Sequence, residues 1–435
     1  MKETLKRHKF FFILLFLLTA YHLGTLPKVP FHPDESTYIY MSQDFPRLIS
    51  NPLSLAWEPD EIVDAKMRYR LLDAPLTRHL IGLGRSIAGF RNSINDWDWN
   101  KGWSENVNNG SHPPQSTLLT SRISVSMLIP ISLILFYSLL LKIENIPVAL
   151  MGVTILGIHP LLLLHGRRAM AESAVIFSVI FFIWTLHYRQ RHAWLIGLAA
   201  ALAYNAKQST IALFPAGLIA VVWIKNPLHN LKKVIKNLAL YTAAFCIVII
   251  ALNPVLWKHP LLALIQSWKN RLAFTQEQVS TLLNFADNQV LRSGPDRMTS
   301  LIYNLYINKP HAYIIGDYLK YTGDAIDTYL QTPLTQMGRG LLGGTIFLAL
   351  TVGGLIKIFF GFRKKNQAQN QEIWLIFFAT LFQKAALLIF VPFPWQRYAI
   401  PLLPFSVFWI SLGLSPFLNY VFKKIKTIIP KEIHW

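Results

Sequence analysis

Cysteine is almost missing: Cys246, set in an apolar stretch, is the single one, so neither an intrachain disulfide nor a cysteine metal cluster can form. Charge is also scarce, at 15% of residues, and acid is scarcer than base, with 22 Asp and Glu against 42 Lys and Arg. A soluble chain of 435 residues would hold two or three domains, but its surface would need more charge than this. No GxxxxGK[ST] phosphate loop is present, which argues against an ATP-driven transporter. GLGRSIAG at 82–89 departs from the GxGxxG dinucleotide pattern, so a nucleotide-sugar enzyme ranks low and no nucleotide cofactor is expected. There is no clear internal repeat or low-complexity tract.

What is present in excess is apolar: 53% of residues, with a mean hydropathy of +0.35. It is concentrated in runs such as FFILLFLLTAYHLG (11–24) and VSMLIPISLILFYSLLL (125–141), the mark of a multi-pass membrane protein. The apolar runs predict ten spans, at about 9–26, 118–141, 146–164, 172–187, 193–206, 209–224, 237–252, 341–360, 372–391 and 399–418, the shorter ones needing interfacial extension or a thinned bilayer. The first is expected to stay as a helix rather than be cleaved as a signal. The net charge of +20 comes largely from KETLKRHK, RQRH, KNPLHNLKKVIKN, FRKKNQ and KKIKTIIPK. Alternation of spans puts all five on one side, as cytoplasmic loops require, and no nucleic-acid partner is implied. The two longest connections, 27–117 and 253–340, then face outside. Their mixed aromatic and charged segments, AWEPDEIVDAKMRYRLLDAPL and HPLLALIQSWKNRLAFTQEQVSTLLNF, predict interfacial helices over one all-α membrane domain, 1–435.

Several polar residues stand at the expected outer surface. In FHPDESTY (31–38), a carboxylate of Asp34 or Glu35 can take a proton from an acceptor hydroxyl, or Glu35 can join His32 and Glu172 around a divalent ion (Mg, Mn or Zn). A helix cap explains Asp34 equally well. His112 in SHPPQST can bond a phosphate or a carboxylate, although two prolines before a span are ordinary boundary residues. Arg167 and Arg168 in HGRRAMAES run against the positive-inside trend; they suit an anionic leaving group, or an Arg–Glu pair with Glu172. Lys207 lies at a short outer turn, and Lys384, within LFQKAALLIF, must snorkel, pair or face a polar cavity. Arg397 in VPFPWQRYAIPLLP can grip a phosphate, with Trp395 and Tyr398 beside it, while an aromatic belt also explains the two rings.

In their order and sidedness, HPDE, HPP, GRRAMAES, the Lys207 turn, NPVLW (253–257) and RYAIPLLP resemble the membrane C-type (GT-C) glycosyltransferases, especially the protein O-mannosyltransferase and lipid A aminoarabinose transferase superfamily, over most of the chain. The resemblance implies a polyprenyl-phosphate sugar donor entering from the membrane lipids and a hydroxyl acceptor (protein, lipid or glycan) reaching an extracytoplasmic site. It matches Asp34 to the acidic catalytic position of the first loop, with Glu35 its neighbour, and implies inverting transfer as polyprenyl phosphate leaves. Arg397, Lys207 and Arg167 are then the phosphate candidates. A lipid-linked oligosaccharide ligase and a non-enzymatic flippase are the alternatives. A prokaryotic plasma membrane, with the site facing the exterior or periplasm, is the expected location.

Overall fold

The computed structural model describes residues 8–59, 63–90, 92–188, 192–223, 230–311, 318–360 and 367–428. Among them there is no strand. In chain order the α-helices are α1 (Lys9–Gly24), α2 (Pro33–Met41), α3 (Asp44–Ser50), α4 (Ala65–Leu72), α5 (Leu76–Ile87), α6 (Trp103–Asn108), α7 (Gln115–Ser126), α8 (Leu128–Ile143), α9 (Ile146–Gly157) and α10 (Pro160–Leu164). There follow α11 (Glu172–Thr185), α12 (Ala193–Ala206), α13 (Leu213–Val222), α14 (Leu231–Leu252), α15 (Pro260–Phe285), α16 (Gly294–Ile302), α17 (Tyr318–Leu330), α18 (Gly340–Phe360), α19 (Gln367–Phe390) and α20 (Leu403–Ile428).

Each of the ten apolar runs forms helix, but they are not equal in length. Five stretches are long and apolar enough to cross a membrane: Gln115–Ile143, Leu231–Leu252, Gly340–Ile358, Gln369–Phe390 and Gln396–Lys424. A sixth is possible if α9 and the segment Pro160–Arg167, bent by 48°, act together. The bend has a local cause: His159 caps the second piece by accepting from the Leu161 amide at 3.3 Å, and Pro160 sits where no amide is needed. The other four apolar helices run 10–17 residues, so the structure gives five or six full-length spans where the hydropathy pattern predicts ten. Outward-facing apolar side chains such as Phe16 (72% exposed) and Leu342 (79%) fit lipid rather than water, and the chain is an integral membrane protein. Of the basic segments that set the expected orientation, 2–9, 189–192, 225–237, 362–367 and 423–431 lie wholly or partly outside the described residues.

The core is built from α8, α11 and α20, whose Phe136, Phe182, Phe405, Phe408 and Trp409 are fully buried. Helices α18 and α20 pack backbone to backbone, since a Cβ added at Gly354 would lie 2.0 Å from the Trp409 carbonyl and one at Gly413 2.1 Å from the Leu350 carbonyl. Small residues permit such approach, and close packing replaces the hydrophobic drive that lipid cannot supply. GLGRSIAG is mostly helix, in α5: a Cβ on Gly82 would meet Phe45 and the Ser42 carbonyl, and one on Gly84 the Ser124 hydroxyl. Gly82 and Gly84 therefore serve packing.

Both long connections are largely helical. In the first, α3, α4 and α5 are pinned by Asp44, buried and bonded twice by Arg70 at 2.9 and 2.7 Å, with Arg78 3.7 Å away. In the second, the 26-residue α15 packs against α4, and the Trp57 amide donates to the Val255 carbonyl at 3.2 Å. The two connections thus pack against each other. Gly413→Ala is expected to destabilise the protein by about 1–3 kcal/mol through overpacking, whereas Gly353→Ala, which meets nothing within 4 Å, is expected to be neutral or mildly stabilising. Thermal unfolding of the two variants in lipid nanodiscs checks this; equal melting temperatures would contradict the close crossing.

Candidate active site

The site begins with the cap of α2. His32 stands before Pro33, its Nδ1 accepting from the Asp34 amide at 3.1 Å, while its own amide donates to Glu35 Oε2 at 3.0 Å. This reciprocal cap satisfies two amides that a helix start would otherwise leave open. Burial pushes the His32 imidazole down to about 3, with Arg168 and Arg397 adding to the effect against Asp34, so the ring stays neutral as the cap requires.

Glu35 is fully buried. Arg122 of α7 donates Nε to Oε1 and Nη2 to Oε2, both at 2.8 Å; the Ala169 amide donates to Oε1 at 2.8 Å, and the His32 amide fills Oε2. A carboxylate has about four acceptor positions, and all are taken. Arg122 also donates to the carbonyls of Leu26 (3.1 Å) and Val29 (2.8 Å). Burial alone would raise the Glu35 carboxyl, but Arg122, then Arg168 and the Ala169 amide, hold it below the usual carboxylate range. This arrangement corrects the expectation of a catalytic or metal-binding Glu35: its oxygens lock the first connection to α7 and to the 166–171 turn.

Asp34 comes to a different set of partners. It accepts from Arg397, and its other oxygen lies 3.9 Å from His32 Nδ1. Arg397 stands in the short helix Gln396–Leu402 over the rings of Trp395 (5.4 Å) and Tyr398 (5.6 Å). Lys207 lies over the same Tyr398 ring at 4.9 Å and donates to Glu172 Oε1 at 3.4 Å. Two cations therefore lie against the Tyr398 ring, each with its own carboxylate. The other Glu172 oxygen, Oε2, is buried with no hydrogen-bond partner among the described residues. The side chains of Asp34, Arg397 and Lys207 keep 21%, 20% and 18% exposure, enough for a ligand to reach them. Burial opposes ionisation of Asp34, yet Arg397, by charge and hydrogen bond, and then Arg168 outweigh it and hold the carboxyl below its ordinary value.

Three further residues join this cluster without a signal in the sequence. Arg271 of α15 donates to Asp73 at 2.8 Å and to Gln208 at 3.4 Å, which brings a third cation next to the Lys207 turn from 64 residues away in the chain. Tyr38, one turn beyond Asp34, has its hydroxyl raised by burial first and then by Asp73, Glu172 and Asp34, so it lies among the three acids. Isolated on an amphipathic helix or in a polar loop, neither Arg271 nor Asp73 differs from any surface charge.

Other candidates lie elsewhere. Arg167 is buried and donates to the Leu163 carbonyl, the Thr25 hydroxyl and, at 3.3 Å, the Tyr329 hydroxyl; it joins α1, α10 and α17 and is not placed to hold a phosphate. Arg168 donates Nε to the Pro30 carbonyl at 3.1 Å and is fully buried. Among the described residues it pairs with no glutamate, and the partner of Glu172 is Lys207 in place of the arginine expected of this turn. His112 packs on Phe31 (4.6 Å) and Trp103 (5.9 Å) as part of an aromatic group. Trp395 is buried in a stack with Phe393 and Tyr398, at 4.7 and 5.5 Å. Lys384 is half-buried on α19, with no hydrogen bond or ion pair among the described residues. The set Glu35, His32 and Glu172 does not fit a divalent ion: Glu35 is saturated, His32 Nδ1 accepts an amide, and Glu172 pairs with Lys207. Among the described residues no group of three or more His, Cys, Asp or Glu is arranged to hold a metal.

No family model and no curated protein matches the chain. Among solved structures, its fold is similar to that of the archaeal oligosaccharyltransferase AglB from Archaeoglobus fulgidus, in complex with an inhibitory peptide and a dolichol-phosphate, with a TM-score of 0.52 and 10% identity. The likeness covers 98% of this chain and 53% of that one, so the chain spans about half the length of the archaeal protein.

Glu35→Gln is expected to cost about 3–5 kcal/mol, because it leaves the buried Arg122 without its counter-charge, and to lower the melting temperature more than Asp34→Asn does. The stabilisation from Glu35 is present above the ordinary glutamate value of about 4.3 and is lost as pH falls through its lowered value. Unfolding followed between neutral and acid pH should therefore show a shallower acid loss in the variant than in the parent.

Proposed function

We propose that this chain is an inverting membrane glycosyltransferase that moves a sugar from a polyprenyl-phosphate donor to a hydroxyl acceptor on the extracytoplasmic side. The observation that carries the reading is the pairing of Asp34 with Arg397 beside Lys207 and Glu172, in a partly open site. The fold likeness to an oligosaccharyltransferase solved with dolichol-phosphate supports the donor class, and the positions of the basic segments support the sidedness.

The chemistry needs a base on one side of the anomeric carbon and positive charge on the other. Asp34, ionised at neutral pH, takes the proton of the acceptor hydroxyl as its oxygen forms a bond to the anomeric carbon. The bond from that carbon to the phosphate oxygen breaks, its electron pair leaves with polyprenyl phosphate, and in-line displacement inverts the centre. Arg397 and Lys207 offset the charge on the departing phosphate. Arg271 adds to the same field, and Arg167 does not take part.

In the structure Arg397 donates to Asp34. A donor phosphate competes for the guanidinium, and a carboxylate that loses this partner while still largely buried becomes a stronger base. Donor binding would in this way prepare Asp34 for catalysis. The acid limb of kcat is accordingly expected at higher pH than the acid limb of kcat/KM for the donor, since the first reports the loaded enzyme and the second the free one. Both rates fall as pH drops and Asp34 gains a proton. Coincident limbs would contradict the partner exchange.

Asp34→Asn is expected to lower kcat about a hundred- to ten-thousandfold while keeping donor binding, measured with labelled polyprenyl-phosphate sugar and a mixture of acceptors. Unchanged transfer in that variant would remove Asp34 as the base. Movement of the labelled lipid between leaflets, with no acceptor modified, would favour a flippase.

A further inference from the structure

The first long connection contains a cavity whose lining does not include Asp34, Arg397 or Lys207. It is a cleft of about 610 Å³ whose lining includes Tyr69, Asp96, Asp98, Trp99, Asn100 and Asn109, a size suited to a small ligand. Its wall is rigid. The buried Asn106 side chain donates to the carbonyls of Asp98 (2.9 Å), Lys101 (3.3 Å) and Gly102 (3.2 Å) and accepts from the Asp98 amide at 2.9 Å. The Ser111 hydroxyl donates to the Asp96 carbonyl at 2.6 Å, and Gly110 turns the chain with a φ of +73°. Trp97 and Trp103 face inward, against Phe31 at 5.9 and 6.0 Å, which accounts for two of the three tryptophans of NDWDWNKGW. The third, Trp99, is left 47% exposed at a predominantly polar wall in which Lys101 pairs with Asp98 at 3.8 Å, beside carboxylates, amides and the Tyr69 and Ser111 hydroxyls.

We propose that this cleft binds a saccharide and that the acceptor of the transfer is a glycan hydroxyl. The inference rests on the transferase reading above. Sugar hydroxyls both donate and accept, which planar carboxylates and amides match in pairs, and the C–H face of a pyranose ring packs on an indole. A lipid acceptor would call for an apolar wall. A peptide would call for an open strand edge or an apolar groove, and this wall offers neither.

The cleft also connects to the base. Thr37 donates to Asp96 Oδ1 at 2.7 Å, and Thr37 lies three residues after Asp34 on α2, which places the two Cβ atoms about 5–6 Å apart on one face. The Tyr69 hydroxyl bonds Asp96 and lies within the fields of Asp73 and Asp34. A glycan held along Trp99 and Asn100 with its terminal ring at Tyr69 would thus present a hydroxyl to Asp34.

The test uses the full chain in lipid nanodiscs, first on an array of neutral oligosaccharides built from hexoses, N-acetylhexosamines and pentoses, then by titration of the strongest binder without donor. Saturable binding is expected, weakened about tenfold by Trp99→Ala and similarly by Asn100→Ala, with the melting temperature unchanged because both sites are at the surface. Asp34→Asn should keep this binding and lose transfer. Absence of binding across the array, Trp99→Ala binding like the parent, or transfer to a serine- and threonine-containing peptide alone would each overturn the saccharide site. Binding that depends on Trp99 together with normal transfer by Asp34→Asn would instead overturn the base assignment and leave the cleft standing.

Discussion

The ion pair between Glu35 and Arg122 is the constraint on which the site depends. It is buried, bidentate and saturated, with the Ala169 and His32 amides completing the carboxylate and the Leu26 and Val29 carbonyls taking the other donors of the guanidinium. A buried charge pair contributes little net stability against a well-packed apolar alternative. Its value lies in geometry: three segments distant in sequence, the His32–Glu35 cap, Arg122 and Ala169, meet at one carboxylate. With Glu35 fixed, the first turn of α2 has one orientation, and Asp34 is turned toward Arg397.

Two adjacent acids therefore have opposite roles. Glu35 has every acceptor position filled by donors that the fold holds in place, whereas the principal partner of Asp34 is the partly exposed side chain of Arg397. The same contrast separates the arginines. Arg167 is bound to a carbonyl and two hydroxyls inside the helix bundle, while Arg397 stands at a partly open surface over two aromatic rings. Positive charge is abundant in this chain, but it can recognise a ligand only where its first partner is exchangeable and accessible.

Hydropathy made the helical organisation legible, because each apolar run must form helix to satisfy its backbone in lipid. It did not separate full spans from short ones: α12 and α13 are as apolar as α18, yet lengths are set by the Lys207 turn and by packing against α14 and α19. The motif FHPDESTY marked the right helix start, and GRRAMAES, the Lys207 turn and WQRY marked three of the elements around it. Their internal assignments were not legible. Neighbours in sequence such as Arg167 and Glu172 share a motif, and only one of them reaches the cluster.

The sequence by itself determined that this is an all-helical membrane chain with its unusual charges gathered at a few turns, since hydrophobic periodicity and charge placement are local properties. The tertiary structure alone decided which charges meet. Arg397 is 363 residues from Asp34 and Arg122 is 87 from Glu35, and such pairs depend on helix crossings fixed by glycine contacts and core packing. For the same reason Arg271 and Asp73 joined the site unannounced, and the metal set Glu35, His32 and Glu172 came apart: Arg122 and the Ala169 amide took Glu35, the Asp34 amide took His32 Nδ1, and Lys207 paired with Glu172.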